Sequence, residues 1–302
     1  MILSVLTTVQ QWILFTATTV AVGCVAWKWV VAPGAARILG SAGGELAAVE
    51  RWVVSVGWIT ALGLVVAWAL RMVVQVMGFR DPFVPLWEDV SFLLFETFWG
   101  TVWMAQGVTV LLLAAAFGST RAFPEASWRL ATAFVLVLVA TLALSSHAMG
   151  VDAGRPFFVA ADAIHALAAG SWIGSLGVIL LGGRLGGPTE QGRGLFAAQL
   201  RAFSPMALVS MSALLSMGVV LAWTHLDGIA NLWRTSYGWT LSAKIVVAGA
   251  VFVVGFLNWR RGLPVADTAE GAVSLRRGAT REVYVAAGVL LLTAVLVHMP
   301  KP

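Results

Sequence analysis

The chain has 302 residues, of which 60% are hydrophobic and only 11% are charged. A soluble domain carries about 25% charged residues, so this composition excludes a soluble protein and predicts an integral membrane protein. The net charge of +5 does not indicate nucleic-acid binding, because excess Lys and Arg in a membrane protein usually mark cytoplasmic loops. The single cysteine, Cys24, excludes an internal disulfide and a cysteine-cluster metal site.

Eight apolar runs are long enough to cross a bilayer, which requires about 20 mostly apolar residues. In chain order they are 10–32, 52–77, 92–117, 128–148, 157–182, 204–226, 239–259 and 281–299. Each is expected to be a helix, because membrane lipid offers no hydrogen-bond partner to an open backbone. The fold class is therefore all-α. No basic stretch precedes the first run, which is expected to be a retained span rather than a cleaved signal.

Basic residues predict the orientation of these runs. Most of the 19 Lys and Arg lie in or beside the loops after the first, third, fifth and seventh runs. The positive-inside rule places those loops in the cytoplasm and both termini outside. All four histidines then lie near the outer face: His147, His225 and His298 end the fourth, sixth and eighth runs, and His165 lies about two turns into the fifth.

The chain also shows signs of an internal duplication. Residues 63–68 (GLVVAW) resemble residues 218–223 (GVVLAW), and the segment TFWG at the start of the third run resembles SYG at the start of the seventh. Four runs per half is an even number, so both halves would share one orientation. The sequence therefore predicts two parallel four-helix halves, 1–150 and 151–302, with a shared site between them.

His147 and His165 are the strongest candidate metal ligands. The fourth and fifth runs are joined by only about ten residues, so the two imidazoles can be neighbours, and neutral imidazole is the commonest side-chain ligand of transition metals. Asp162 shares a helical face with His165 and can ligate or orient the ring, while Met149 adds a thioether. His with Met suits Cu(I), and His with carboxylate suits Cu(II) or Zn(II). The structural alternative is an interfacial His147 and a His165 that hydrogen-bonds a neighbouring helix.

The other ionisable candidates leave alternatives open. His225 and His298 either pair across the outer face or simply end their helices. Lys244, which the duplication aligns with Gln106, either reaches the interface or balances Asp162 or Glu96, the latter predicted just inside the third run. Four outer histidines are also compatible with a haem-b electron carrier. A third alternative is an accessory subunit of a larger membrane complex. The sequence holds no nucleotide-binding or hydrolase motif, so no enzyme activity is expected.

The second half resembles the copper resistance protein D (CopD) family. The resemblance rests on SHA at 146–148, DAIHALAAGSWIG at 162–174, RAFS at 201–204, GVVLAW at 218–223, TSYG at 235–238 with Lys244, and Arg281-Glu282. It implies a bacterial inner-membrane protein that handles copper and receives it from a periplasmic copper-binding partner. By position, His147 and His165 match the family's two recurrent histidines and Lys244 its recurrent lysine, whereas His225 and His298 match no such position.

These observations together predict a copper transporter with an outer entry site. Copper would bind at His147 and His165, assisted by Asp162 or Met149, and move inward between the two halves. The inward route is the less defined part, because no further histidine follows and only thioethers, Cys24 and backbone carbonyls are available along it.

Overall fold

The computed structural model describes residues 2–40, 45–150, 154–183, 189–226 and 228–299. Across these residues the chain is helical, without strands, and eight helices are long and apolar enough to cross a membrane. The all-α fold class and the eight predicted spans are thereby confirmed. The placement of both termini outside and the division into two halves at residue 150 stay predictions.

Within the described ranges, ten helices carry the fold, and we number them in chain order. They are α1 (Ile2–Leu39), α2 (Glu45–Phe79), α3 (Leu86–Phe95), α4 (Phe98–Ser119), α5 (Pro124–Ala143), α6 (Arg155–Gly182), α7 (Glu190–His225), α8 (Asn231–Arg234), α9 (Ser236–Val265) and α10 (Ala269–Leu296). All except the short α3 and α8 are candidate spans. Several helices are longer than the apolar run inside them: α7 begins at Glu190 rather than at 204, and α10 at Ala269 rather than at 281. The added turns contain charged residues, so an apolar-length criterion does not detect them.

Helices α1 and α6 touch backbone to backbone at the centre of the molecule. A Cβ atom built on Gly23 would lie 2.2 Å from the carbonyl carbon of Gly174, and one built on Gly174 would lie 2.0 Å from the carbonyl oxygen of Thr19. Small residues at such a crossing let two membrane helices approach closely enough for van der Waals contact along their backbones. Ser175 adds a hydrogen bond to the carbonyl oxygen of Gly23 at 3.3 Å. This contact fixes the position of α6 in the bundle.

Polar side chains connect α7 with α1 and with the segment between α9 and α10. The Trp27 indole N–H of α1 donates to the Gln199 side-chain oxygen of α7 at 2.8 Å, and both side chains are buried. Arg201 donates to Asp267, between α9 and α10, at 3.1 Å. The hydrogen bonding from the Arg201 guanidinium holds the pKa of the Asp267 carboxyl below its usual value.

Four of the helices, α4, α7, α9 and α10, begin with the same capping motif, Thr-x-x-Gly. In each, the threonine side chain accepts a hydrogen bond from the backbone N–H of the glycine, which satisfies one of the donors that a helix start leaves open. The pairs are Thr97–Gly100, Thr189–Gly192, Thr235–Gly238 and Thr268–Gly271. The short α3 precedes the capped α4 just as α8 precedes the capped α9, in the two segments that the sequence aligns with one another.

Three of the helices contain a five-residue π-helical turn. These turns are Trp27–Val31 in α1, Gly170–Gly174 in α6 and Asn258–Gly262 in α9. Such turns occur frequently at functional sites. Two of the three carry side chains, Trp172 and Asn258, that surround a buried carboxylate described below.

Candidate functional site

His165 projects from α6 toward α7 and presents a ring nitrogen without a partner. Its Nδ1 atom is buried and forms no hydrogen bond within the described residues. The ring packs on α7 at Gly218, where an added Cβ would lie 3.6 Å from Cε1 and 3.9 Å from Nδ1. It also interacts with the backbone of Leu214, one turn earlier on α7. Gly218 therefore provides the space that the imidazole occupies.

Lys244 of α9 and Asp162 of α6 complete a charged cluster around this ring, which we call the outer site (Asp162, His165 and Lys244). The Lys244 ammonium acts electrostatically on His165, and the Asp162 carboxylate acts on Lys244. Of the two carboxylates considered from the sequence as counter-charges for Lys244, Asp162 is thus the one that acts on it. The site joins α6, α7 and α9.

Glu96 lies in a different place from that expected. It is exposed and caps the C-terminus of α3, with its backbone N–H donating to Phe92 at 2.9 Å. The predicted third run merged α3 with α4, because the break at Thr97 lies within continuous apolar sequence. Glu96 is therefore outside the spanning helix α4.

His147 and Met149 lie in a short 3₁₀ turn, His147–Gly150, between α5 and α6. Met149 is half-buried, and its backbone N–H donates to Ser146 at 3.2 Å. The turn packs against α6, the helix that carries His165. The side chain of His147 lies outside the part of the structure that is described, so its ligation remains a prediction.

The helix ends that carry His225 and His298 are brought together. Tyr237, Leu241 and Leu296 form a small buried cluster with residues on either side of these histidines, including Leu226 and Met299. His298 follows α10 and is exposed. The His225 side chain lies outside the described part. Within the described residues, no three His, Cys, Asp or Glu side chains come together, so a pairing of these two histidines stays a prediction.

Gln106, which the duplication aligns with Lys244, binds a cationic side chain of the first half, Arg71. Gln106 of α4 accepts a hydrogen bond from Arg71 of α2 at 2.6 Å and donates to the Thr141 carbonyl of α5 at 3.2 Å. In the second half the positive charge belongs to Lys244 itself. In the first half the aligned residue, Gln106, is neutral, and the positive charge belongs to its hydrogen-bond partner Arg71.

A buried carboxylate, Glu282, is the main group that the sequence interpretation did not single out. It lies in α10 and is only 3% exposed. The Trp172 indole N–H donates to one carboxylate oxygen and the Asn258 amide to the other, each at 2.9 Å. The sequence signal was present in the pair Arg281-Glu282, but the predicted run began at 281, which assigned Glu282 to a helix end. Because α10 begins at Ala269, Glu282 is in fact well inside a helix.

Comparison with known proteins identifies the family. The description "Copper resistance protein D" matches residues 197–296, and "Copper resistance protein D-like, N-terminal domain" matches residues 1–155. A relative from Bacillus subtilis (strain 168), copper transport protein CutJ, is 26% identical over 264 residues, which is 82% of this chain and 45% of the relative. The chain thus spans less than half the length of that relative. No solved structure matches the chain. The chain belongs to the copper resistance protein D family, and its eight candidate spans make it a multi-pass membrane protein.

Proposed function

We propose that this protein is a non-enzymatic copper transporter that binds copper at the outer site and passes it across the membrane. The observation that carries the proposal is the buried, unpartnered Nδ1 atom of His165. A buried polar atom without a hydrogen bond costs about 1–3 kcal/mol. A metal ion at Nδ1 removes this cost, and a neutral imidazole is suited to binding it.

The surroundings of His165 fit a site that both holds and releases a cation. Asp162, one turn earlier on α6, offers a carboxylate as a ligand or as a group that orients the ring. Lys244 opposes this attraction, because its charge repels an ion bound beside it. We include His147 and Met149 as further ligands from the turn that precedes α6. A periplasmic copper-binding protein would deliver the ion.

Copper is assigned as the substrate from the family and from the name of the Bacillus subtilis relative. Neither comparison favours the haem-b alternative or an accessory role. In a family of copper resistance proteins, an imidazole beside a carboxylate is consistent with copper coordination. The protein provides a path, and no bond of a substrate is made or broken.

Replacement of His165 by Ala tests this function, and His147→Ala extends the test to the second predicted ligand. We expect purified His165→Ala to bind less copper per chain, measured by metal analysis after equilibrium dialysis, and cells expressing it to accumulate less copper. Ile164→Ala is the matched control, because Ile164 is the adjacent residue and its side chain is exposed. Unchanged copper binding and accumulation in both histidine variants would refute the outer site.

Replacement of Lys244 by Met is expected to strengthen copper binding at the outer site. The change keeps the length of the side chain and removes the charge that acts on His165. We expect an affinity about tenfold higher, equivalent to about 1.4 kcal/mol, with slower release of the ion. Competition with a chromophoric copper chelator measures both quantities. Lys244→Arg, which retains the charge, should bind like the wild type. Weaker binding in the Met variant would instead make Lys244 a support of the site.

A further inference from the structure

Glu282 lines a small, partly open cavity between α6, α7, α9 and α10, which we call the chamber. The chamber has a volume of about 60 Å³, and one water molecule needs roughly 10–15 Å³ of such space. Its polar lining comes from Glu282, Trp172, Asn258 and Ser204, and Met211 adds a thioether. The chamber is therefore large enough for a small cation or a few water molecules, and these few polar groups stand out in a lining that is otherwise mostly apolar.

Among the residues that the structure describes, the carboxylate of Glu282 has hydrogen-bond donors but no ion-pair partner. Its two hydrogen bonds come from the neutral groups of Trp172 and Asn258, and within the described residues it forms no ion pair. An ionised group in the interior of a membrane protein is costly unless it is paired or serves an ion pathway. A cation in the chamber provides the missing charge.

One face of α7 leads from the outer site to this chamber. Gly218 and Leu214 contact His165, and Met211 and Ser204 line the chamber. These positions follow one another at spacings of four, three and seven residues, which places them on one side of a helix. On α6, Trp172 follows His165 by seven residues, which corresponds to about 10 Å along the helix axis. By the predicted orientation, the chamber therefore lies about 10 Å closer to the cytoplasm than the outer site.

Asn258 lines both the chamber and a second, more open space. The same side chain lines a cleft of about 690 Å³ between the end of α9 and the start of α10. Its amide packs on Gly278, where an added Cβ would lie 2.1 Å from the Asn258 side-chain oxygen. By the predicted orientation this cleft faces the cytoplasm. The Asn258 side chain thus borders both the chamber and the cleft.

We propose that the chamber around Glu282 is a second, inward copper site that binds Cu⁺ between the outer site and the cytoplasmic cleft. This inference rests on the proposed transport function and names the inner part of its path. Glu282 is the anionic ligand and Met211 the soft one. Trp172 and Asn258 hold the carboxylate in place.

The single carboxylate of Glu282 and the soft thioether of Met211 favour the cuprous ion, Cu⁺. One carboxylate neutralises one positive charge, whereas a divalent ion would leave a net charge buried inside the membrane. Thioether ligands select Cu(I) among the oxidation states of copper, and the face of an indole attracts a cation. Cys24, which the sequence offered for the inward route, is buried against Val53 of α2 and does not line the chamber. No change of oxidation state is required when the ion arrives as Cu⁺.

The test is anaerobic titration of the purified full chain with Cu⁺, combined with Cu⁺ uptake into vesicles containing the protein. We expect Glu282→Gln to bind one Cu⁺ fewer per chain and to lose uptake, while the copper bound at His165 is retained. His165→Ala should lose the copper bound at the outer site and retain the copper of the chamber. Glu125→Gln is the matched control, because Glu125 is a carboxylate with an 85% exposed side chain. It should behave like the wild type.

A second variant keeps the test decisive if Glu282→Gln does not fold. Met211→Leu preserves the size of the side chain and removes the sulfur, and we expect it to weaken Cu⁺ binding in the chamber by about 10- to 100-fold. Unchanged Cu⁺ binding in both variants would overturn the proposal. Loss of uptake by Glu282→Gln with an unchanged number of bound Cu⁺ would also overturn it, since Glu282 would then act on a proton. Wild-type vesicles that take up no copper would refute the transport function, and the titration would still decide the site.

Discussion

Replacement of Gly174 by Ala is expected to destabilise the protein more than the same replacement at any other glycine of α6. The new Cβ would lie 2.0 Å from the Thr19 carbonyl oxygen and 3.0 Å from the Gly23 Cα, both of which belong to the backbone of α1. A flexible side chain can move aside, but a helix backbone can relax only if the two helices separate. We expect the free energy of unfolding to fall by about 3 kcal/mol, the upper part of the range for overpacked interiors.

The unfolding temperature in detergent, followed by tryptophan fluorescence, measures this effect. Gly177→Ala is the matched control, because Gly177 lies on the same helix and has no atom within 4 Å of an added Cβ. It should be at least as stable as the wild type, since Ala favours helices over Gly by about 1 kcal/mol. Equal stability of the Gly174 and Gly177 variants would contradict the backbone contact between α1 and α6.

Replacement of Gly218 by Leu is expected to weaken copper binding at the outer site strongly while the fold is retained. At 3.6 Å from the His165 ring, a single methyl group makes ordinary contact, so Gly218→Ala should bind copper normally. The larger side chain of Leu occupies the space of the imidazole and turns it away from Asp162 and Lys244. We expect the affinity to fall by about 100-fold, comparable to the loss of a group that orients a metal ligand.

Titration of the Ala and Leu variants gives the dependence of binding on side-chain size at this position. Val219→Leu is the control, because Val219 is the next residue and 67% exposed. It adds volume on the lipid side of α7 and should leave binding unchanged. Strong copper binding in Gly218→Leu would show that His165 is not the ligand.

The fold class and the number of spans were predictable from the sequence because both follow from local composition. Eight apolar runs separated by breakers correspond to eight helices, and the order of short motifs indicated the family. The ends of the helices were less predictable. The polar turns of α7 and α10 continue beyond the apolar runs, and the break at Thr97 is made by a side-chain cap within apolar sequence.

The candidate sites were predictable only in part, because they depend on contacts between distant segments. Asp162 and His165 share one helix, and their common face follows from spacing alone. That Gly218 makes room for the His165 ring, or that Trp172 and Asn258 both bind Glu282, follows from the packing of three other helices. The predicted ligation by His147 and His225 concerns side chains outside the described part and stays a prediction.

The threonine caps bear on how the protein is made. Each Thr-x-x-Gly start is closed by a hydrogen bond within its own four residues, so its formation does not require a neighbouring helix. Membrane helices insert individually and associate afterwards. A helix start that is satisfied locally can therefore be set during synthesis, before the later spans leave the ribosome. Assembly of the bundle then begins from helices whose starts already hold one closed capping hydrogen bond.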